Sequence, residues 1–125
     1  MRVSQIAGAH DFIATLPHGY DLRLSDRGEG LSGGQRQSIA LARAMYGSPP
    51  IMVLDEPTSA IDTDTEASVV NRLKEELLGR TLILVTHRPS LLTLVDRVIL
   101  MSRGRVVVDG PPDQIAQKIA LLKAR

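Results

Sequence analysis

Cysteine is missing from all 125 residues of this chain, which excludes disulfide cross-links and thiolate metal sites. Tryptophan is missing too, and aromatics make up only 2%, as Phe12, Tyr20 and Tyr46. So few rings argue against a stacking platform for single-stranded nucleic acid. Neither sign of charge dominates: fifteen Lys and Arg face fourteen Asp and Glu, a net charge of +1, with no block of like charge to attract nucleic acid or an anionic bilayer. Long apolar runs are absent. The longest, Ile51 to Leu54 and Leu82 to Val85, fall far short of the ~20 residues that cross a bilayer. The opening residues Met1 to Gln5 carry no leader-like apolar region, so any tie to a membrane is expected to run through a partner. Missing last is a phosphate-cradling loop G-x-x-x-x-G-K-[ST]; the lysines are Lys74, Lys118 and Lys123, none in such a setting.

What is present suffices for one folded domain. The length is that of a single unit, and 43% hydrophobic residues supply an aliphatic core. Val3 to Ala14 reads as a short helix ending before Pro17, followed by a turn at His18-Gly19-Tyr20-Asp21. A second helix is expected to start at Ser32, since Ser32 and Gln35 fit the S-x-x-[EQ] capping box, and to run to Gly47 before Pro49 and Pro50. Ile51 to Leu54 and Thr81 to Val85 have the continuous apolar character of strands buried on both faces of a parallel sheet. Between them Thr63 and Glu66 fit another capping box, and Val70, Leu73 and Leu77 form one apolar face of a helix closed by Gly79. Strand, helix and strand make a crossover, expected to be right-handed. Arg97 to Met101 and Arg105 to Asp109 flank a hairpin turn, and Pro112 is placed to open a last helix with Ile115, Ile119 and Leu122 on one side. The expected class is α/β, a partial parallel sheet with flanking helices. Its two parts are 1–47, helical, and 48–125, with the strands.

Chemistry is expected at the carboxyl edge of that sheet, where α/β folds collect their ligands. Asp55 there can position Mg²⁺ through water, and Glu56 can orient or deprotonate a water attacking a γ-phosphate. Both could instead merely cap a turn. Gly33 and Gly34 remove side chains where a helix start leaves N–H groups unpaired, a place for an anion to which Ser32 adds a hydroxyl donor; the plainer reading is an ordinary capped helix. His87, just past the second strand, can donate to phosphate, although a lone His at a strand end is more often a hydrogen-bonded surface residue. Asp62 precedes a helix and on its own reads as a cap. His10 and His18 read as solvated, as does the helix face carrying Lys74, Glu75, Glu76 and Arg80.

Together these residues resemble the ABC-type ATPases. Leu31 to Gln35 is similar to their signature motif, Ile51 to Glu56 to the Walker B strand, Ser59 to Asp62 to the D-loop, and His87 to the switch histidine. Ser25 to Gly28 looks like the exporter loop that contacts transmembrane domains, with Asp26 where Glu is usual. In the D-loop, Ile61 replaces the usual Leu. Thr86 to Leu92, with Val95-Asp96-Arg97 and Asp109-Gly110-Pro111, is similar to the type I secretion branch, which exports protein or peptide.

The resemblance makes the expected sheet similar to that of a P-loop NTPase. It implies ATP and Mg²⁺ as cofactors, with Glu56 and His87 catalytic, Asp55 toward the metal, and Ser32, Gly33, Gly34, Gln35 and Asp62 toward nucleotide. It also implies two ATPase domains closing head to tail, so that Ser32, Gly33 and Gly34 serve a nucleotide held mainly by the partner, whereas Asp55, Glu56 and His87 serve one bound in cis. The expected partners are thus a second ATPase domain and exporter transmembrane domains contacted near Asp26 and Arg27, with no nucleic acid. The expected location is the cytoplasmic face of a membrane, the inner one in a bacterium. Without a phosphate loop the chain corresponds to the carboxyl-terminal part of the family domain. It is expected to be inactive alone and to expose apolar strand surface around Val53 and Ile83. Two alternatives remain at this point: a non-catalytic module that lends its signature helix to a complete ATPase, and a soluble relative acting in DNA repair or translation. Coiled-coil heptads and a basic tail, which the latter would call for, do not occur.

Overall fold

The computed structural model describes residues 1–115, apart from the side chain of Arg27. The chain forms two compact units, Met1–Thr86 and His87–Arg125.

In the first unit, helices α1 (Arg2–Ile6) and α2 (His10–Thr15) replace the single helix expected over Val3 to Ala14. The break falls at Gly8, whose φ of +71° suits glycine, and a Cβ there would lie 3.2 Å from Val69 Cγ2. The corner can therefore pack closely on a later helix, a demand that local periodicity does not reveal.

Helix α3 (Gly33–Met45) begins as its capping box predicts. The Ser32 hydroxyl accepts from the Gln35 N–H at 3.1 Å, and Gln35 Oε1 accepts from the Ser32 N–H at 2.9 Å. Leu41 and Met45 carry its buried face. Strand β1 (Ile51–Asp55) and strand β2 (Thr81–Val85) pair in parallel, with Val53 beside Ile83 and Asp55 beside Val85. Helix α4 (Thr63–Glu76) connects them and buries Val69, Val70 and Leu73.

Three local expectations need correction. The cap of α4 is Asp62 rather than Thr63, its carboxylate accepting from the Thr65 N–H at 2.9 Å, while Glu66 is buried. Glu76 is not on a solvated face: its side chain is 6% exposed and bridges Arg2 at 2.7 Å and Arg80 at 2.9 Å. The strands are not covered on both faces. Met52 and Leu54 are buried, whereas Ile51, Val53, Ile83 and Val85 are exposed, Val53 by 66% and Ile83 by 52%. The exposure at Val53 and Ile83 is the one expected from the sequence.

In the second unit, β3 (Val98–Ser102) and β4 (Arg105–Gly110) form an antiparallel hairpin. Arg103 and Gly104 turn it with φ of 50° and 73°, the paired left-handed conformation that matches strand twist. Arg97 clamps the open end through two donors to Asp109, at 2.8 and 2.6 Å. That pair holds the Asp109 carboxyl below its usual pKa and raises that of Arg97, in each case first through the side-chain hydrogen bond. Residues 112–115 are helical; Ile119 and Leu122 lie outside the described residues.

Candidate functional site

Strand β1 delivers Asp55 and Glu56 to its carboxyl end, as the apolar run before them requires. Asp55 is exposed. Glu56 leaves the ladder by a sharp turn: its N–H still donates to the Val85 carbonyl at 2.9 Å, but its φ is +44°. A left-handed glutamate costs about 1–3 kcal/mol and persists only where its surroundings impose it. Here the Glu56 carbonyl accepts from the Ser59 N–H at 3.2 Å and from Gln37 Nε2 at 2.7 Å. On the side chain, the Thr86 hydroxyl donates to Glu56 Oε2 at 3.4 Å. The carboxylate is thus aimed by backbone strain and by a hydroxyl at the end of the neighbouring strand.

The start of α3 meets the turn after β1. A Cβ on Gly34 would come 2.7 Å from the Ala60 carbonyl oxygen, closer than side-chain carbons approach, while one on Gly33 would make an ordinary 3.6 Å contact with the Ala60 methyl. Gly34 therefore serves packing, a role that presentation of N–H groups does not include. The first-turn N–H groups of Gly33 and Gly34 have no helical acceptor. Ser32 spends a lone pair on its cap, which leaves its hydroxyl proton free to donate. Gln35 is occupied through Oε1 in the same cap.

Asp62 is exposed and caps α4. The Thr65 backbone N–H, the first cause, and then the Thr65 side chain hold its carboxyl below the usual value. Ser32, Gly34, Gln35 and Asp62 share the wall of one open cavity of about 460 Å³, with Asp11 and Arg72. The structure thus groups Asp55 with Glu56 on one turn, and Ser32, Gly34, Gln35 and Asp62 around one hollow. His87 is exposed and is the first residue of the second unit. Asp26 is exposed on a short helical turn, Asp26–Gly28. His10, expected to be solvated, stacks on Tyr20 and hydrogen-bonds its hydroxyl at 2.8 Å.

Gln37, whose side chain makes three hydrogen bonds to the turn after β1, does not stand out in the sequence. It lies three and four residues beyond Gly34 and Gly33, hence on their helix face, and that spacing is the signal that could have found it.

The donor set suits the expected cofactors in part. Mg²⁺ commonly takes one or two carboxylates, keeps several waters and binds phosphate oxygens, and the exposed Asp55 at a strand end is such a carboxylate. Among the described residues no group of three or more His, Cys, Asp or Glu forms a self-sufficient metal cage. None of the 125 residues forms a phosphate loop.

Two parallel strands with an acid pair at their carboxyl end, beside a glycine-led helix, form an α/β arrangement. The family model described as "ABC transporter" matches residues 5–59. The chain is 48% identical over 115 residues to the "ABC-type transporter MDR1" of Aureobasidium melanogenum, a match covering 92% of this chain and 8% of that protein. It is 43% identical over 114 residues to the "Leukotoxin translocation ATP-binding protein LktB" of Mannheimia haemolytica, covering 91% and 16%. The solved structure of a bacterial Atm1-family ABC exporter with ATP bound superposes with a TM-score of 0.85 at 35% identity, covering 94% of this chain and 21% of that one. The chain belongs to the ABC transporter ATPase family and corresponds to part of an exporter ATPase domain. It spans between 8% and 16% of the length of these two curated relatives.

Proposed function

We propose that the chain belongs to an ATP-hydrolysing pair of domains that drives export across a membrane, with protein or peptide as cargo, and supplies the water-activating residues for a nucleotide bound in cis and the signature for one held by the second domain. Bound ATP with Mg²⁺ would supply the scissile γ-phosphate and the charge that neutralises it. Asp55 would hold the metal through water. Glu56 would orient the attacking water and take its proton, with Thr86 steadying the carboxylate, and His87 would donate to the phosphate. Ser32, Gly33, Gly34 and Gln35, with Asp62, would meet a nucleotide held chiefly by a second ATPase domain. Asp26 and Arg27 would face the exporter's transmembrane domains, which place the chain at the cytoplasmic side of the membrane. Among the described residues no helix is long and apolar enough to cross a bilayer.

The observation that carries this reading is the left-handed Glu56, fixed at the end of β1 by two backbone hydrogen bonds and one from the Gln37 side chain, and approached by Thr86. Similarity to the leukotoxin translocation protein favours polypeptide cargo. Because these residues hold no phosphate loop, the purified chain with ATP and Mg²⁺ is expected to release no phosphate above buffer. Robust turnover by the chain alone, abolished by Glu56→Gln, would refute the divided site.

A further inference from the structure

The carboxamide of Gln37 uses both its N–H donors and its oxygen on one turn. Nε2 donates to the Glu56 carbonyl at 2.7 Å and to Ser59 Oγ at 3.0 Å, while Oε1 accepts from the Ala60 N–H at 2.7 Å. Gln37 therefore spans the five residues Glu56 to Ala60 and ties both ends of the turn to α3. The helix is itself locked at its start by the Ser32–Gln35 cap and pressed on Ala60 at Gly34. A displacement of α3 consequently cannot leave the Glu56 backbone where it was. Nothing else in α3 donates to that carbonyl among the bonds described.

We infer that Gln37 is a positioning residue that couples the glycine-led start of α3 to Glu56, so that occupation of the helix end by nucleotide sets the carboxylate for the attack in the same molecule. The inference rests on the hydrolytic reading above. It adds a route by which one nucleotide contact is communicated to the residue that handles the water.

The test uses the assembly of this chain with a polypeptide carrying the phosphate-loop half of an exporter ATPase domain, comparing parent, Glu56→Gln, Gln37→Met and Gln37→Glu in ATP turnover. Methionine is close in volume but bonds to nothing in the turn. Misplacing a reacting group by about 1 Å costs up to about 100-fold, so Gln37→Met is expected to lower kcat by about 10- to 100-fold. KM for ATP is expected to stay within about twofold, because binding contacts are untouched. Gln37→Glu supplies a readout that loss of packing would not move. Its carboxylate only accepts, and it faces the Glu56 carbonyl; its protonated form regains one of the carboxamide's two donors beside an acceptor. The ratio of Gln37→Glu turnover to parent turnover is therefore expected to rise as pH falls. Glu56→Gln abolishing turnover while Gln37→Met stays within about twofold of parent overturns the inference and leaves the hydrolytic reading standing. A pH-independent ratio for Gln37→Glu overturns it too, even where Gln37→Met fails to fold. Full turnover by Glu56→Gln removes the hydrolytic reading, and this inference with it.

Discussion

Gly34 approaches its neighbour more closely than any side chain could. With 2.7 Å between its ideal Cβ position and the Ala60 oxygen, Gly34→Ala must push the helix start and the turn apart. We expect a loss of about 1–3 kcal/mol, as for overpacking elsewhere, read by urea unfolding of the chain. Gly33→Ala, facing only a 3.6 Å contact, should leave stability within about 1 kcal/mol of parent. Equal losses at the two positions would show that packing on Ala60 is not what sets Gly34 apart. Adjacent glycines in the sequence point to exposed N–H groups for both; only the backbone of a residue 26 positions away separates them. The strain at Glu56 is of the same kind. Its acid character and its place after an apolar strand can be read along the chain, but its φ of +44° is imposed by Val85, Ser59 and Gln37.

Helix starts were legible where both partners of a cap lie within one turn, as at Ser32 and Gln35. Ahead of α4 two cap-competent residues stand side by side, Asp62 and Thr63, and the choice follows from burial of Glu66, which a linear reading cannot weigh. The cap has a pH signature. The Asp62 carboxyl is lowered by the Thr65 N–H, so the folded chain binds its proton less readily than the unfolded chain. Its stabilisation is complete above the ordinary carboxylate pKa of about 3.9 and is lost as pH falls through the depressed folded value. The protection factor for hydrogen exchange at the Thr65 amide should fall across that acid range in the parent and change less in Asp62→Asn, whose amide oxygen still accepts. Identical acid profiles in both would remove the charged cap from α4. At the level of strands, Ile51 to Leu54 told of a sheet but not of its covering, because residues apolar at every position carry no period to mark the open face.

As a whole, the first unit carries an aliphatic surface on one face of its two-stranded sheet. Ile51, Val53, Ile83 and Val85 line it, exposed by 52–66%, and two parallel strands leave unpaired edges beside it. Exposed apolar faces with open edges associate. The double substitution Val53→Lys and Ile83→Glu is expected to raise the soluble concentration of the chain several-fold, since neither side chain belongs to the buried set. Unchanged light scattering on concentration would show that the face is not what limits solubility. Family membership, the α/β class and the parallel pairing were all legible from motifs and apolar runs, and the comparisons agree with them. The long-range contacts that make a site of those motifs, from Gly34 to Ala60 and from Gln37 to Glu56, were not, since they join residues 19 to 26 positions apart.

The most direct measurement is phosphate release when this chain is titrated into a polypeptide carrying the phosphate-loop half of an exporter ATPase domain, with ATP and Mg²⁺ and with Glu56→Gln run in parallel. Turnover should be absent from the chain alone, appear in proportion to added parent chain, and not appear with Glu56→Gln. The same release from parent and Glu56→Gln mixtures would contradict a site in which this chain activates the water.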